Sequence, residues 1–313
     1  MNNENIARAE ALLKTKRIKL ENVVSYFDGI SCGQVALDKA NIKVDNYFAY
    51  EINKHAIKVT QANYPNTNQM GSVLDVDFDS LPDIDLLIGG SPCQDLTKTK
   101  KDRKNLNGDS SKLFWEYVRI IKECKPKYFL LENVEMDSES ERVVTETLGV
   151  KPVKINSSMV TAQNRPRIYW FNWDYTPISK KNIVLNDIIE DNVSQKYYLN
   201  ELQKNKLNLN YKWSNGNSGI IRHLGGGRQQ DRIYRSDGKM ACLLAGSKGS
   251  SPHLTKTYIN GELRRLTPLE YERLQTLPDN YTNCISDMHR YESVGNGWTV
   301  DVITHLLNRI PRM

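Results

Sequence analysis

The stretch Asp85-Leu86-Leu87-Ile88-Gly89-Gly90-Ser91-Pro92-Cys93-Gln94 decides the reading of this chain. A short apolar run closed by two glycines and a proline predicts a strand buried on both faces, as in the interior of a parallel sheet. Open α/β sheets place their ligands and chemistry at the carboxyl ends of such strands. The thiol of Cys93 follows that end directly. It is either a nucleophile or, like most free cysteines, a small buried hydrophobe. The choice depends on whether the rest of the chain supplies a cofactor loop, an acid and an anion-binding partner.

Outward from this strand, the pattern alternates strand and helix from residue 22 to 173. Val23–Phe27, Asn46–Tyr50, Ile84–Ile88, Tyr128–Leu131 and Ile168–Trp170 read as strands. Gln34–Ala40 and Asn53–Tyr64 read as helices. So does the run carrying Leu113, Phe114, Tyr117, Ile120, Ile121 and Cys124, with Asp109 or Ser110 as its cap. Alternation of this kind predicts an α/β fold with a doubly wound, mostly parallel sheet. Residues 1–21 are expected to form an N-terminal extension, helical in character. Region 174–263 differs: it holds 9 of the 18 glycines and only short β-like runs, such as Arg232-Ile233-Tyr234 and Ala241–Leu244. It reads as a smaller β- and loop-rich region. Helices then return. Thr267-Pro268 supplies a cap and a proline at the first helical position, and Trp298–Ile310 forms a last helix, so 264–313 is expected to rejoin the first domain.

At 313 residues, with 39% hydrophobic and 26% charged, the composition is that of a globular protein with a large core. No stretch reaches the roughly 18 uninterrupted apolar residues of a membrane span, and the start shows no secretory signal pattern. The five cysteines are scattered without a C-x-x-C pair. That argues against a disulfide framework or a metal site and for a reducing cytoplasm. The formal charge is +6, unevenly spread: 174–263 carries 13 Lys+Arg against 8 Asp+Glu, and Thr97–Ser110 five against two. Basic charge gathered in one region and one loop suggests a polyanionic partner.

Four further places carry chemistry. Asp28-Gly29-Ile30-Ser31-Cys32-Gly33 joins the first strand to a helix, and its glycines let backbone amides approach a ligand. Glu51, 23 residues beyond Asp28, ends the second strand, where nucleoside-binding sheets place the acid that takes ribose hydroxyls. Glu132 ends another strand and is expected to share a crevice with Cys93. A thiolate beside a carboxyl that protonates a ring nitrogen is a way to add a nucleophile to a pyrimidine. Arg165 and Arg167 stand two apart, a spacing that aims both guanidinium groups at one face.

Taken in order, these places resemble the cytosine-C5 DNA methyltransferases along nearly the whole chain. Phe27–Gly33 resembles the S-adenosylmethionine loop of that family, and Ser91-Pro92-Cys93-Gln94 its nucleophile motif. Glu132-Asn133-Val134 is similar to its glutamate motif, and Gln163-Asn164-Arg165-Pro166-Arg167 to its two-arginine motif. Arg265–Pro278 and Val294-Gly295-Asn296-Gly297-Trp298 are similar to its ninth and tenth motifs. The resemblance implies a Rossmann-like class I methyltransferase fold and a cytosine extruded from duplex DNA. Cys93 would attack C6, Glu132 would hold the N3 proton, and Arg165 and Arg167 would contact the base or a phosphate. The cofactor pocket it implies takes Phe27, the amides of Asp28, Gly29, Ile30 and Ser31, with Glu51, Ile52, Ser72, Val73, Pro92, Leu113, Asn296 and Trp298. Ser72 stands where the family carries an aspartate for the adenine amine, with Asp75 nearby. The resemblance makes 174–263 the target-recognition region and the basic loop a DNA-closing segment, with Gln94, Lys98, Lys100, Lys101, Arg103, Arg228 and Arg232 as DNA contacts. The expected partner is double-stranded DNA, with no membrane and no metal, for a monomer in the cytoplasm that is prokaryotic or phage-encoded; a restriction-modification, phage or orphan role stays open at this point. The rivals are a tRNA methyltransferase of the same superfamily and a catalytically silent DNA-binding homologue.

Overall fold

The computed structural model describes residues 18–91, 109–201, 204, 214–215, 222–224, 232–243, 255–259 and 261–311. In chain order the strands of the central sheet are β1 (Ile18–Tyr26), β2 (Ile42–Tyr50), β3 (Asn68–Gln69), β4 (Leu86–Gly90), β5 (Tyr128–Val134), β6 (Val153–Asn156) and, after the short β7 (Gln163–Asn164), β8 (Pro166–Phe171). Their order is β3-β2-β1-β4-β5-β8-β6. All pairings from β3 to β5 are parallel, and β8 runs antiparallel to both β5 and β6. The expected mostly parallel sheet is therefore present. Its strand order reverses between β1 and β4, where doubly wound sheets open a crevice at their carboxyl edge.

Side chains alternating along the strands fill two cores, one on each face. Leu86, Ile88, Tyr128 and Leu130 join one core, and Leu87, Phe129 and Leu131 the other. The first face is covered by α1 (Cys32–Lys39), α2 (Lys54–Asn63) and the last helix, and the second by α3 (Asp109–Cys124) and α4 (Ser138–Leu148). The C-terminal segment supplies α5 (Pro268–Leu274), α6 (Asp287–Asn296) and α7 (Val300–Leu307). Helix α7 buries Val300, Val302, Ile303, Leu306 and Leu307 in the same core as α1. Each fully buried aliphatic of this kind stabilises by about 1.5–3 kcal/mol, which holds the chain's end to the first domain. Thr267 caps α5 as expected, in a reciprocal capping box with Glu270 and with Pro268 at the first position.

Between these lie β9 (Ser214–Asn215), β10 (Arg222–Leu224), β11 (Ile233–Arg235), β12 (Met240–Ala241), β13 (Lys256–Ile259) and β14 (Glu262–Arg265). Five of them form a separate sheet, β14-β13-β11-β10-β9, while β12 pairs with β7. Among the described residues no helix is long and apolar enough to cross a membrane.

Several boundaries move. Residues 18–21, assigned above to a helical extension, are strand: Ile18 and Leu20 alternate with Lys19 and Glu21, and Ile18 pairs with Ile42. Residues 1–17 of that extension lie outside the described residues. Phe27 is not strand, because its φ of 59° ends the pleat. Trp298 lies outside the last helix, which begins at Val300. Helix α4 and strand β6 were not anticipated. Asp137 caps α4 by accepting from the Ser140 N–H, and Gly149 closes it in a left-handed conformation.

Candidate functional site

The chain turns sharply at the carboxyl end of β1. Phe27, Gly29 and Ser31 are all left-handed, with φ of 59°, 58° and 56°. For the two side-chain-bearing residues this conformation costs on the order of 1–3 kcal/mol each. The surroundings hold it in place. Ser31 Oγ donates to Asp28 Oδ2, and Tyr47 Oη donates to Asp28 Oδ1 at 2.7 Å. Burial pushes the Asp28 carboxyl up to about 6, against the pull of the hydroxyls that bond it. Glu51 closes the loop from β2. Its Oε2 accepts from the Gly29 N–H at 2.8 Å, and its Oε1 accepts from the Ile52 and Asn53 N–H groups at 2.8 and 2.7 Å. The Asp28 N–H donates to Tyr50 O and the Ser31 N–H to Asp28 O. Among the described residues this leaves Ile30 as the loop amide without such a partner. Three of the four amides expected to face a ligand are thus engaged within the protein.

Beside this loop lies a cavity of about 350 Å³, bordered by Phe27–Ile30, Glu51, Gly90, Glu132, Arg165, Arg167, Asn296 and Trp298. Three features of topology gather these distant residues. Parallel pairing sets Gly90 beside Glu132 at the carboxyl ends of β4 and β5. Because β8 is antiparallel to β5, its amino end meets the carboxyl end of β5, and Arg167 pairs with Val134. The α6–α7 connection then brings Trp298 over Gly90. Alternation places Glu132 on the face of Leu130, toward the C-terminal helices.

Glu132 is 9% exposed, and both its oxygens are held. Arg167 forms an ion pair with it, Nε lying 2.9 Å from Oε1, and Trp298 Nε1 donates to Oε2 at 3.1 Å. Arg165 is buried. Its Nη1 donates to Gly295 O at 3.3 Å and its Nη2 to Gly297 O at 2.9 Å. Its Nη1 also reaches Cys242 Sγ at 3.1 Å, and Arg167 Nη2 approaches the same sulfur at 3.8 Å. Burial opposes ionisation of the Cys242 thiol, yet the two guanidinium groups hold it below the usual thiol range. Cys242 was not among the residues expected at the site. It arrives through the two-residue pairing of β12 with β7, Ala241 against Asn164. Cys32 also borders the cavity, and burial pushes its thiol up to about 12, which keeps it neutral. Asn133 Nδ2 donates to Ser91 Oγ at 2.9 Å and fixes the turn after β4.

Other expected residues stand apart from the cavity wall. Ile52 is 77% exposed; Val73 is buried in the second core, and Leu113 packs against that core. Ser72 Oγ accepts from the Leu74 N–H in its own turn, and Asp75 is exposed. Arg232 is half-buried, with its Nε inaccessible to solvent and its side chain beside the Tyr234 hydroxyl. Pro92, Cys93, Gln94, Lys98, Lys100, Lys101, Arg103 and Arg228 lie outside the described residues.

Gly90 has no room for a side chain. A Cβ there would stand 2.9 Å from both Glu132 Oε2 and Trp298 Nε1. Gly90→Ala is therefore expected to separate these two groups at a cost of about 1–3 kcal/mol, and to slow turnover more than it lowers thermal stability. Initial rates and melting curves on one preparation check this. A variant as fast as the parent would show that the site tolerates the displacement.

The family model for C-5 cytosine-specific DNA methylases matches residues 22–312. The type II methyltransferase M1.ScrFI of Lactococcus lactis subsp. cremoris is 29% identical, covering 93% of this chain and 77% of that protein. M.SsoII of Shigella sonnei, also a type II methyltransferase, is 29% identical over 92% of this chain and 79% of its own. Among solved structures, the Entamoeba histolytica methyltransferase EhMeth superposes with a TM-score of 0.73 at 17% identity, covering 94% of this chain and 98% of that one. That likeness is one of fold, the class I methyltransferase fold.

Proposed function

The chain belongs to the C-5 cytosine-specific DNA methylases, and from that premise we propose that it transfers a methyl group to C5 of a cytosine extruded from duplex DNA at a specific sequence, through a covalent adduct on Cys93. The observation that carries this reading is Glu132. It is a buried carboxyl with one oxygen ion-paired to Arg167 and the other accepting from the Trp298 indole, on the wall of the cavity that also takes Arg165, Arg167 and the Phe27–Ile30 loop.

Family and fold imply S-adenosylmethionine as the methyl source. The cavity's volume falls in the range of small-ligand pockets. The Ile30 amide and the carbonyl and carboxylate oxygens beside it suit a nucleoside that carries an amino acid. Phe27, Ile30 and Glu51 would hold it, with Asn296 and Trp298 across the cavity and the exposed Ile52 offering an apolar surface to the adenine. Once bound, it supplies an electrophilic methyl group on a sulfonium.

The protein's own steps follow from carbon and proton bookkeeping. The Cys93 thiolate forms a bond to C6, and the C5–C6 double bond's electrons move toward the ring nitrogen. Glu132 gives its proton to N3, so no charge accumulates on the ring. C5, now an enamine carbon, takes the methyl group. Loss of the C5 proton to a base then expels the thiolate, and N3 returns its proton to the Glu132 carboxylate, which restores both the ring and the acid. Arg167 keeps the Glu132 carboxyl in place throughout, and Arg165 ties the two-arginine turn to the α6–α7 connection. Extruding the base costs on the order of a few kcal/mol, which phosphate contacts from the basic loop 97–110 and region 174–263 would offset. We assign target recognition to 174–263. Cys32, Cys124, Cys242 and Cys284, none of them in a disulfide, fit action in a reducing cytoplasm, and the type II relatives suggest a restriction-modification role.

Transfer of labelled methyl from S-adenosylmethionine tests the reading directly. Label is expected in C5 of cytosine in duplex DNA, at one recurring sequence. Label confined to tRNA, or found in no nucleic acid, would refute it.

A further inference from the structure

We propose that Trp298 is a positioning residue for proton transfer, acting through the Glu132 carboxyl, over and above any place in the cofactor wall. The inference rests on the reading of Glu132 as the carboxyl that serves N3.

An indole N–H is a donor only. Trp298 Nε1 lies 3.1 Å from Glu132 Oε2, and Arg167 Nε, also donor only, lies 2.9 Å from Oε1. When Glu132 carries a proton, its O–H cannot point at the indole, which offers only an N–H there, and it gains nothing by facing the cationic guanidinium on the other oxygen. The proton is directed to the remaining lone-pair directions, and the carboxyl is held by two contacts, one from β8 and one from the C-terminal segment. Arg167 alone would leave the carboxyl free to turn about that single contact.

The local architecture keeps room for this pair. Gly90 is the register partner of Glu132, and its missing side chain is the space through which the indole reaches the carboxylate. The tryptophan is braced from behind. Thr299 Oγ1 donates to Gln275 Oε1 at 2.8 Å, and the Val300 N–H donates to Gln275 O at 2.9 Å. Gln275 Nε2 in turn donates to Gly297 O at 2.9 Å and Val294 O at 3.0 Å. The indole is thus delivered by a buried network.

The other titratable and charged groups facing Glu132 are Arg167, Arg165 and Tyr169, whose hydroxyl burial and the Glu132 charge keep neutral; Cys242 lies beyond, between the guanidinium groups. None of these is removed by a change at residue 298. Trp298→Phe keeps an aromatic wall but removes the N–H together with the indole's second ring, so cofactor affinity is followed alongside. A carboxylate that loses a donor holds its proton more tightly.

The test is single-turnover methyl transfer by Trp298→Phe across pH, on duplex DNA with saturating S-adenosylmethionine, alongside cofactor titration. The rate is expected to fall about tenfold, the alkaline limb of the profile to move up by roughly one pH unit, and cofactor affinity to stay within about threefold. Weaker cofactor binding with an unmoved profile overturns the inference and leaves Trp298 as cofactor wall only. If the phenylalanine variant fails to fold, Trp298→Leu carries the same test, since it too lacks the donor. Glu132→Gln separates the two readings. If it keeps full activity, the assignment of Glu132 is wrong. If it is inactive while Trp298→Phe leaves the profile unmoved, only the role of Trp298 fails.

Discussion

Cys93→Ala is expected to lose methyl transfer by at least on the order of 10⁴-fold, while the fold and S-adenosylmethionine binding persist. The magnitude follows from the chemistry. Without addition at C6 the C5 carbon of cytosine is a poor nucleophile, and no neighbouring group can replace a covalent step. Cys32, which borders the cavity, cannot step in, because burial keeps its thiol neutral. Cys242 has a lowered pKa but is held by Arg165 and Arg167. The outcome is read three ways on one preparation: labelled transfer to duplex DNA, cofactor titration, and trapping with 5-fluorocytosine DNA. The parent should form a stable adduct there, because fluorine at C5 cannot leave as a proton does. The alanine variant should form none. Residual transfer near the parental rate would mean that Cys93 is not the nucleophile.

How much of this was legible in sequence depended on the range of the interaction. The β4 strand was readable from Leu86-Leu87-Ile88 because a strand buried on both faces needs apolar residues at every position, a local demand. Glu132, Arg165 and Arg167 were readable because each sits at the end of a patterned strand. The loop after β1 was readable as a ligand turn. Its engagement was not, because three of its amides are spent on Tyr50, Glu51 and Asp28, and a sequence does not disclose which donors are already satisfied. The extension of β1 back to Ile18 was missed because four residues of alternation are too few to outweigh the polar stretch before them. The contacts of longest range were the least visible. Cys242 lies 77 residues from Arg165 and is delivered by a two-residue pairing, and the Trp298–Glu132 contact spans 166 residues. Only the meeting of an antiparallel β8 with a returning C-terminal segment produces them.

Glu132→Gln is expected to slow methyl transfer by roughly 10²–10⁴-fold, the usual worth of a positioned acid, and to do so for two separable reasons. Glutamine has the shape of glutamate but offers one acceptor oxygen and one NH₂ group, which donates only. In the parent Oε1 is ion-paired with the Arg167 guanidinium and Oε2 accepts from Trp298 Nε1. Whichever way the amide is turned, its NH₂ confronts one of them. The charged guanidinium contact is the stronger, so the amide oxygen should stay with Arg167 and the NH₂ should displace the indole. The carboxamide also cannot give up a proton to N3 at neutral pH. Glu132→Asp separates these causes. It retains an ionisable group, but one methylene shorter, so it loses the reach to both donors and keeps the chemistry. If geometry dominates, aspartate should be as slow as glutamine; if proton transfer dominates, aspartate should recover a large part of the rate. Glu132→Gln gives Arg167 a neutral acceptor in place of its ionic partner and costs the indole its acceptor, so it should also lower stability by about 1–3 kcal/mol, measurable by denaturant titration. A glutamine variant with parental rates at every pH would remove Glu132 from the mechanism.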